Sequence, residues 1–483
     1  MKKLFYLASV IMFTLSCQNN QEHIEEVELT QPLTVTARFD NSTTRVAFAE
    51  ESKNIVPSWE IGDRIFGFWD DKTLTYEVAS VNDEGTASFN LVSGTEPTDG
   101  KTVYMIYAPS KSVSDLSTKT LAVDYSTQDG TLANMKNHAY MCATATVSGT
   151  TLTLSFTNQM VIVCFKRLTG LAPSTTYTTL EFSTVGEGSI IQVDGGVLKL
   201  VPGSTYGPVS INGSFTSDAS GNLSTPIYLA IPCPSVAVSP SITLKNSTSQ
   251  RVGFISSKTM TPGKYYYITT KQLYEPIMYD DFESETAGTF PSSQWYIIYE
   301  GQGTGYQVIV NNMYRNGGQS FKLEGKSSWS ASIGSKNTDA STFNHSRLVY
   351  QAYVRASRVG SGENGGIGFI NPDLGSWGHY QARIEFSNNS IMAFRYPDGP
   401  NFNTVTPEAN KWYHIRIVCD KTAGTFQVYI DGTLVSGTNT SDSSDTRNAF
   451  PMGTTDISKL MLTAGNATST VTYFDDVIAY AIE

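Results

Sequence analysis

The chain has 483 residues, 44 acidic against 33 basic side chains and a formal net charge of -11, with no basic block, which argues against nucleic acid as a partner. Its length calls for two or three domains. Thr, Ser, Tyr, Phe, Val and Gly dominate and stretches of helical periodicity are nearly missing, so an all-β chain is expected.

At the amino end, Lys2 and Lys3 precede an apolar run from Leu4 to Leu15 that closes on Ser16 and Cys17. The run is too short for a mature membrane helix and reads as a signal peptide. The tetrad Thr14-Leu15-Ser16-Cys17 resembles the bacterial lipobox, with Thr14 where a leucine is usual. That resemblance implies acylation of Cys17 and a lipid-anchored protein of the Gram-negative outer membrane, exposed at the cell surface. Residues 1–17 are then the signal and 18–30 a polar, acidic tether. Cys142, Cys164, Cys233 and Cys419 have neither metal nor redox spacing, and are expected as buried small hydrophobes.

The next segment is rich in strand signals. In Arg64 to Trp69, Ile65, Gly67 and Trp69 alternate with Phe66 and Phe68, so both faces are apolar and the strand should be central. Trp59 and Trp69 read as core. Thr44-Arg45-Val46-Ala47-Phe48, Trp59-Glu60-Ile61-Gly62-Asp63-Arg64-Ile65, the strand Gly85 to Phe89, Tyr104-Met105-Ile106-Tyr107-Ala108-Pro109, the strand Phe156 to Phe165 and Pro262-Gly263-Lys264-Tyr265-Tyr266 follow in order. Together they resemble the fimbrillin-like family of surface lipoproteins. The resemblance implies two successive β-sandwiches, 31–149 and 150–272. It also implies partnership with other fimbrial subunits by strand addition, with Arg38 or Arg45 as a trimming site. A large extra domain suits a tip or stand-alone subunit better than a shaft subunit.

A joint is expected at Lys271 to Met278, after which 277–483 forms another unit. Asp281-Phe282-Glu283 with Pro291 and Trp295, Lys411-Trp412-Tyr413-His414-Ile415-Arg416-Ile417 leading to Phe426-Gln427-Val428-Tyr429-Ile430-Asp431-Gly432, and Tyr473-Phe474-Asp475-Asp476-Val477 occur in that order. They resemble the concanavalin A-like jelly roll of lectins and glycanases. Asp431-Gly432 signals a tight hairpin, since both residues tolerate positive φ. The resemblance implies that first and last strands lie together, gathering Asp280, Asp281, Glu283, Asp475 and Asp476. A structural calcium would neutralise that cluster, with Asp281, Glu283, Asp475 and Asp476 as its ligands.

Strand alternation sets Arg347, Gln351, Tyr353 and Arg355 opposite the apolar set of one strand, and His379, Gln381, Arg383 and Glu385 opposite that of another. Arg395, His414 and Arg416 extend the same kind of face. If the strands are neighbours, Tyr353, Arg355, His379, Gln381, Arg383 and Arg395, with Trp377 at the rim, line a carbohydrate groove; otherwise they are a wet sheet face.

The expected function is therefore non-catalytic carbohydrate recognition by a surface adhesin. A fimbrial subunit joined by strand exchange is the second reading. A polysaccharide lyase using His379, Gln381, Arg383 and Tyr353 is the third. Retaining glycoside hydrolysis needs two carboxylates about 5 Å apart, and Arg383-Ile384-Glu385-Phe386 supplies one. Gly-x-Ser-x-Gly and His-Glu-x-x-His do not occur. Gly360-Ser361-Gly362-Glu363-Asn364-Gly365 matches a dinucleotide fingerprint in letters only, because Gly366 and Gly368 follow where a helix should begin. No redox or nucleotide cofactor is expected.

Overall fold

A computed structural model describes residues 33–39, 49–51, 54–56, 58–108, 120–122, 127–183, 190–194, 197–201, 208–233, 237–315, 318–328, 330–336, 342–374, 380–394, 399–466 and 470–482. The signal segment, Cys17, the tether, Arg45, Trp377, His379 and Arg395 lie outside the described residues. Among the described residues no helix is long and apolar enough to cross a membrane.

The first unit is a closed barrel. Its strands follow the order Thr34–Phe39, Thr151–Asn158, Met141–Thr146, Thr102–Tyr107, Arg64–Trp69, Lys72–Val81 and Ala87–Gly94, which returns to the first. Arg64–Trp69 is interior to the sheet, between Lys72–Val81 and Thr102–Tyr107, and is buried on both faces as its alternation requires. Ile65 and Trp69 face the barrel core, whereas Phe66 and Phe68 pack into the core of the following unit. At Gly67 the Met105 side chain fills the space a Cβ would take, its Sδ 2.2 Å from that position. Trp59 sits at the centre of the barrel, stacked on Phe39 at 4.4 Å and edge-on to Phe89, Tyr107 and Phe156 at 5.3 to 5.5 Å.

Thr151–Asn158 pairs in parallel with Thr34–Phe39 and turns Leu152, Leu154 and Phe156 into the barrel. The first unit therefore ends after Asn158 and not at 149/150. Its last strand, with every second residue buried, belongs to one core. The next strand, Met160–Phe165, is buried at every residue and belongs between two layers.

In the second unit Met160–Phe165 lies between Ile227–Pro232 and Tyr265–Ile268, the latter in parallel. A four-stranded sheet of Pro208–Thr216, Thr176–Ser183, Ser241–Lys245 and Gln250–Phe254 completes the packing. Cys142, Cys164 and Cys419 are buried.

Residues from Pro276 onward form two nine-stranded sheets around one apolar core. One sheet runs Val308–Val310, Ser320–Glu324, Val471–Ala481, Arg347–Ala356, Trp412–Asp420, Thr425–Ile430 and Thr433–Leu434, with Pro276–Asp280 also on Val471–Ala481 and Phe450–Pro451 on Thr425–Ile430. The facing sheet runs Trp295–Glu300, Ala331–Ser335, Lys459–Ala464, Glu363–Ile370, Tyr380–Ser387, Ser390–Phe394, Phe402–Val405, Gly437–Asn439 and Thr446–Arg447. Asp431 and Gly432 form the hairpin turn between Thr425–Ile430 and Thr433–Leu434 with φ of 48° and 77°. The described residues are nearly all β, with a jelly roll at the carboxyl end.

The outer face of the first jelly-roll sheet is covered by the second unit. Val349, Val418, Tyr429, Ile478, Tyr480 and Ile482 close over Val252, with Phe254 and Tyr274 against them. Arg416 is wholly buried there, its guanidinium 4.2 Å from the Tyr429 ring centre and 4.6 Å from that of Phe254. It donates to Ser239 O at 2.7 Å and to Ser241 Oγ at 3.2 Å, and Ser241 donates onward to Gln351 Oε1 at 2.8 Å.

Candidate functional site

The other jelly-roll sheet carries a cleft on the face turned away from the core. Ile367 and Phe369 point into the core, so Gly366 and Gly368 point the other way. Gly366 lies across from Glu385 and Gly368 across from Arg383. A Cβ on Gly366 would come within 2.0 Å of Ile384 O, and one on Gly368 within 2.9 Å of Ala382 O. Only glycine lets these backbones approach, and no side chain from Gly366 or Gly368 covers Arg383 and Glu385.

Arg383 is 1% exposed and its guanidinium rests 4.4 Å from the Tyr380 ring centre and 5.0 Å from that of Phe394. One of its nitrogens, Nη2, is 2.7 Å from Glu385 Oε2 and 3.9 Å from Glu363 Oε2. Sharing that nitrogen, the two carboxyl oxygens are separated by at most the sum of those distances, 6.6 Å. Ser330 Oγ donates to Glu363 at 3.3 Å. Burial, with a smaller push from Glu363, outweighs the pull of Arg383 and raises the Glu385 carboxyl to about 8. Above this cluster opens a cleft of about 390 Å³, walled by Asn388, Asn401 and Asn466 and by the apolar Met392 and Phe394.

The sequence-derived ligand set is divided by the fold. Gln381 and Arg383 lie on the cleft-bearing sheet, and Tyr353 and Arg355 on the opposite one. Arg347–Ala356 runs between Val471–Ala481 and Trp412–Asp420 and is no neighbour of Tyr380–Ser387, so a single groove does not form. Gln381 is committed to a loop, accepting from the Thr454 N–H at 2.5 Å. Tyr353 is buried beside His414 and under Arg315. Arg355 donates to Asn410 O at 2.8 Å. His414 and Arg416 are buried against the second unit, where burial, with Arg416 and Arg315 adding, pushes the His414 imidazole down to about 3.

Glu363, which the sequence reading does not single out, opens the strand Glu363–Ile370 inside a glycine-rich stretch. The alternation of Ile367 and Phe369 with Gly366 and Gly368 marks that stretch as a strand.

The acidic junction forms as geometry but not as a metal shell. Pro276–Asp280 pairs with Val471–Ala481, bringing the carboxylates to one end of the sheet. Asp280 accepts from Trp295 Nε1 at 2.8 Å and the Phe282 N–H at 2.9 Å, and burial raises it to about 6. Asp281 accepts from the Tyr279 hydroxyl at 2.6 Å. Glu283 accepts from the Gly318 and Gln319 N–H groups, both at 2.9 Å. Asp475 accepts from the Arg315 N–H at 2.7 Å and from that of Asp476. Protein donors thus supply what a cation would, and among the described residues no three His, Cys, Asp or Glu are grouped to hold an ion.

Residues 334–480 match the concanavalin A-like lectin/glucanases superfamily. Among solved structures, the chain is similar to a candidate cell adhesion protein from Bacteroides ovatus at 15% identity, over 50% of this chain and 92% of that one, with a TM-score of 0.36. It is also similar to a candidate cell adhesion protein from Bacteroides uniformis at 16% identity, over 50% and 92%, with a TM-score of 0.33. Cellulose induced protein, Cip1, is similar at 16% identity, over 42% and 97%, with a TM-score of 0.34. No curated protein matches the chain. The carboxyl-terminal part of this chain is thus a concanavalin A-like lectin/glucanase domain.

Proposed function

We propose that the protein is a lipid-anchored surface adhesin that recognises carbohydrate through the cleft over Glu363, Arg383 and Glu385. The observation that carries this reading is the cleft itself, where three asparagine amides and a carboxyl pair border the apolar Met392 and Phe394. Amides and carboxyls serve sugar hydroxyls, and apolar walls serve C–H faces. On the other sheet the outer face packs against the second unit, leaving a cavity of about 30 Å³ lined by Tyr353 and His414. The test is titration of the full chain against a glycan array, beside an Asn401→Ala/Asn466→Ala double variant. Saturable binding weakened at least tenfold in the variant is expected; equal binding by both proteins would remove the cleft from the site.

The lipid anchor rests on the lipobox-like tetrad ending at Cys17. Cells fed a labelled fatty acid should incorporate label into the wild type, and Cys17→Ser should appear unlabelled in the soluble fraction. Label retained by Cys17→Ser would refute this anchor.

The Glu363 and Glu385 pair favours glycoside hydrolysis as a second reading. New reducing ends released from a bound glycan, and abolished by Glu385→Gln, would establish it over simple recognition. The lyase reading loses its anion-binding groups, since Arg383 is turned to its own carboxylates and Gln381 to Thr454.

A further inference from the structure

We propose that this cleft sorts glycans by charge, admitting uncharged oligosaccharides and turning away those that carry a carboxylate. The inference rests on the carbohydrate reading above and deepens it to a ligand class. Its basis is the composition of the floor. Two carboxyl groups face the cleft, and the one guanidinium beneath them is 1% exposed, held between the Tyr380 and Phe394 rings and spent on both carboxyls. A uronate approaching the floor therefore meets Glu363 and Glu385 before it can reach Arg383. Arg383 is balanced by the Glu363 carboxylate 3.9 Å away and covered by the Glu385 carboxyl at 2.7 Å.

A second observation marks the floor as a place for a ligand group. Glu385 is 1% exposed and lines the cleft, and its Oε2, although in charge contact with Arg383, receives no hydrogen bond. An oxygen with this single contact keeps a lone pair that a further donor can use. A sugar hydroxyl donates; a carboxylate does not. The asparagine amides along the wall offer both donors and acceptors and impose no charge preference, so discrimination is set at the floor.

The groups facing Glu385 are Arg383 and Tyr380 from its own strand and Glu363 from the neighbouring one. Below about pH 8 Glu385 is largely the neutral acid and Glu363 balances Arg383; above it the floor gains a net negative charge. The preference for uncharged ligands should therefore sharpen as pH rises from 6 to 9.

The test is calorimetric titration of the full chain with three probes of equal length: a neutral glucan oligosaccharide, an N-acetylglucosamine oligosaccharide and an oligogalacturonate. At least one uncharged probe should bind ten or more times more tightly than the oligogalacturonate at pH 9, and the ratio should be smaller at pH 6. Glu363→Gln should narrow the ratio at least fivefold by strengthening the acidic probe. Glu77→Gln, on the exposed wall of the distant barrel, should leave it unchanged. Equal binding of acidic and uncharged probes to the wild type, or an unaltered ratio in Glu363→Gln, overturns the charge inference while leaving carbohydrate recognition standing. Binding of none of the three, nor of any array glycan, overturns both.

Discussion

Trp59→Ala is expected to cost about 3–5 kcal/mol of stability, the range for removing a buried aromatic from a core. Trp59 touches four aromatic rings drawn from separate parts of the barrel, so its loss opens a cavity that no single neighbour can fill. Phe39 and Phe156 lie on the strands that pair in parallel to close the barrel, and closure should weaken first. The barrel also shares core with the second unit through Phe66, Phe68 and Ile106, so destabilisation should spread across that boundary. Urea unfolding followed by far-ultraviolet circular dichroism reads the effect. A loss below about 1 kcal/mol would mean that the aromatic cluster is not what holds the barrel closed.

The second large effect is expected at Arg416. Alanine there removes two charge-assisted hydrogen bonds, empties the space between Phe254 and Tyr429, and strips the buried Ser239 carbonyl of this donor. Each loss is worth about 1–3 kcal/mol, and together they should amount to about 2–4 kcal/mol once the cost of desolvating the guanidinium is recovered. The consequence is uncoupling. Scanning calorimetry should split the jelly roll from the amino-terminal units into a separate transition. Arg416→Met, which restores volume without charge, should recover part of the loss through packing. A single transition of unchanged midpoint in Arg416→Ala would show that the interface stands without this residue.

Much of the architecture is legible because strands announce themselves locally. The two-faced apolar run Arg64 to Trp69 is central, and Asp431-Gly432 is the turn its φ preferences indicate. What escapes the sequence is which strands become neighbours. Tyr353 and Arg383 both lie opposite an apolar set, and alternation assigns each to an outer face without saying which of two sheets owns it. His414 and Arg416 read as solvent-facing because they alternate with core residues. They are buried by a different unit, and no local pattern encodes that contact. Glu363 was obscured because glycines serving close strand approach look the same in sequence as glycines serving a loop.

The strand directions also fix how the molecule carries tension. In the barrel, Thr34 pairs with Thr151 and Phe39 with Phe156, so a pull applied before Thr34 and beyond Asn158 slides two parallel strands along each other and loads their hydrogen bonds at once. Met160–Phe165 and Tyr265–Ile268, the entry and exit of the second unit, are parallel as well and meet the same pull in shear. The jelly roll is built the other way. Pro276 pairs with Tyr480, so force on its two ends would part the strands one bond at a time, like a zipper. A pull between a point before Thr34 and a ligand held in the cleft does not load the chain's carboxyl end, so the two ends of that zipper are not drawn apart against each other.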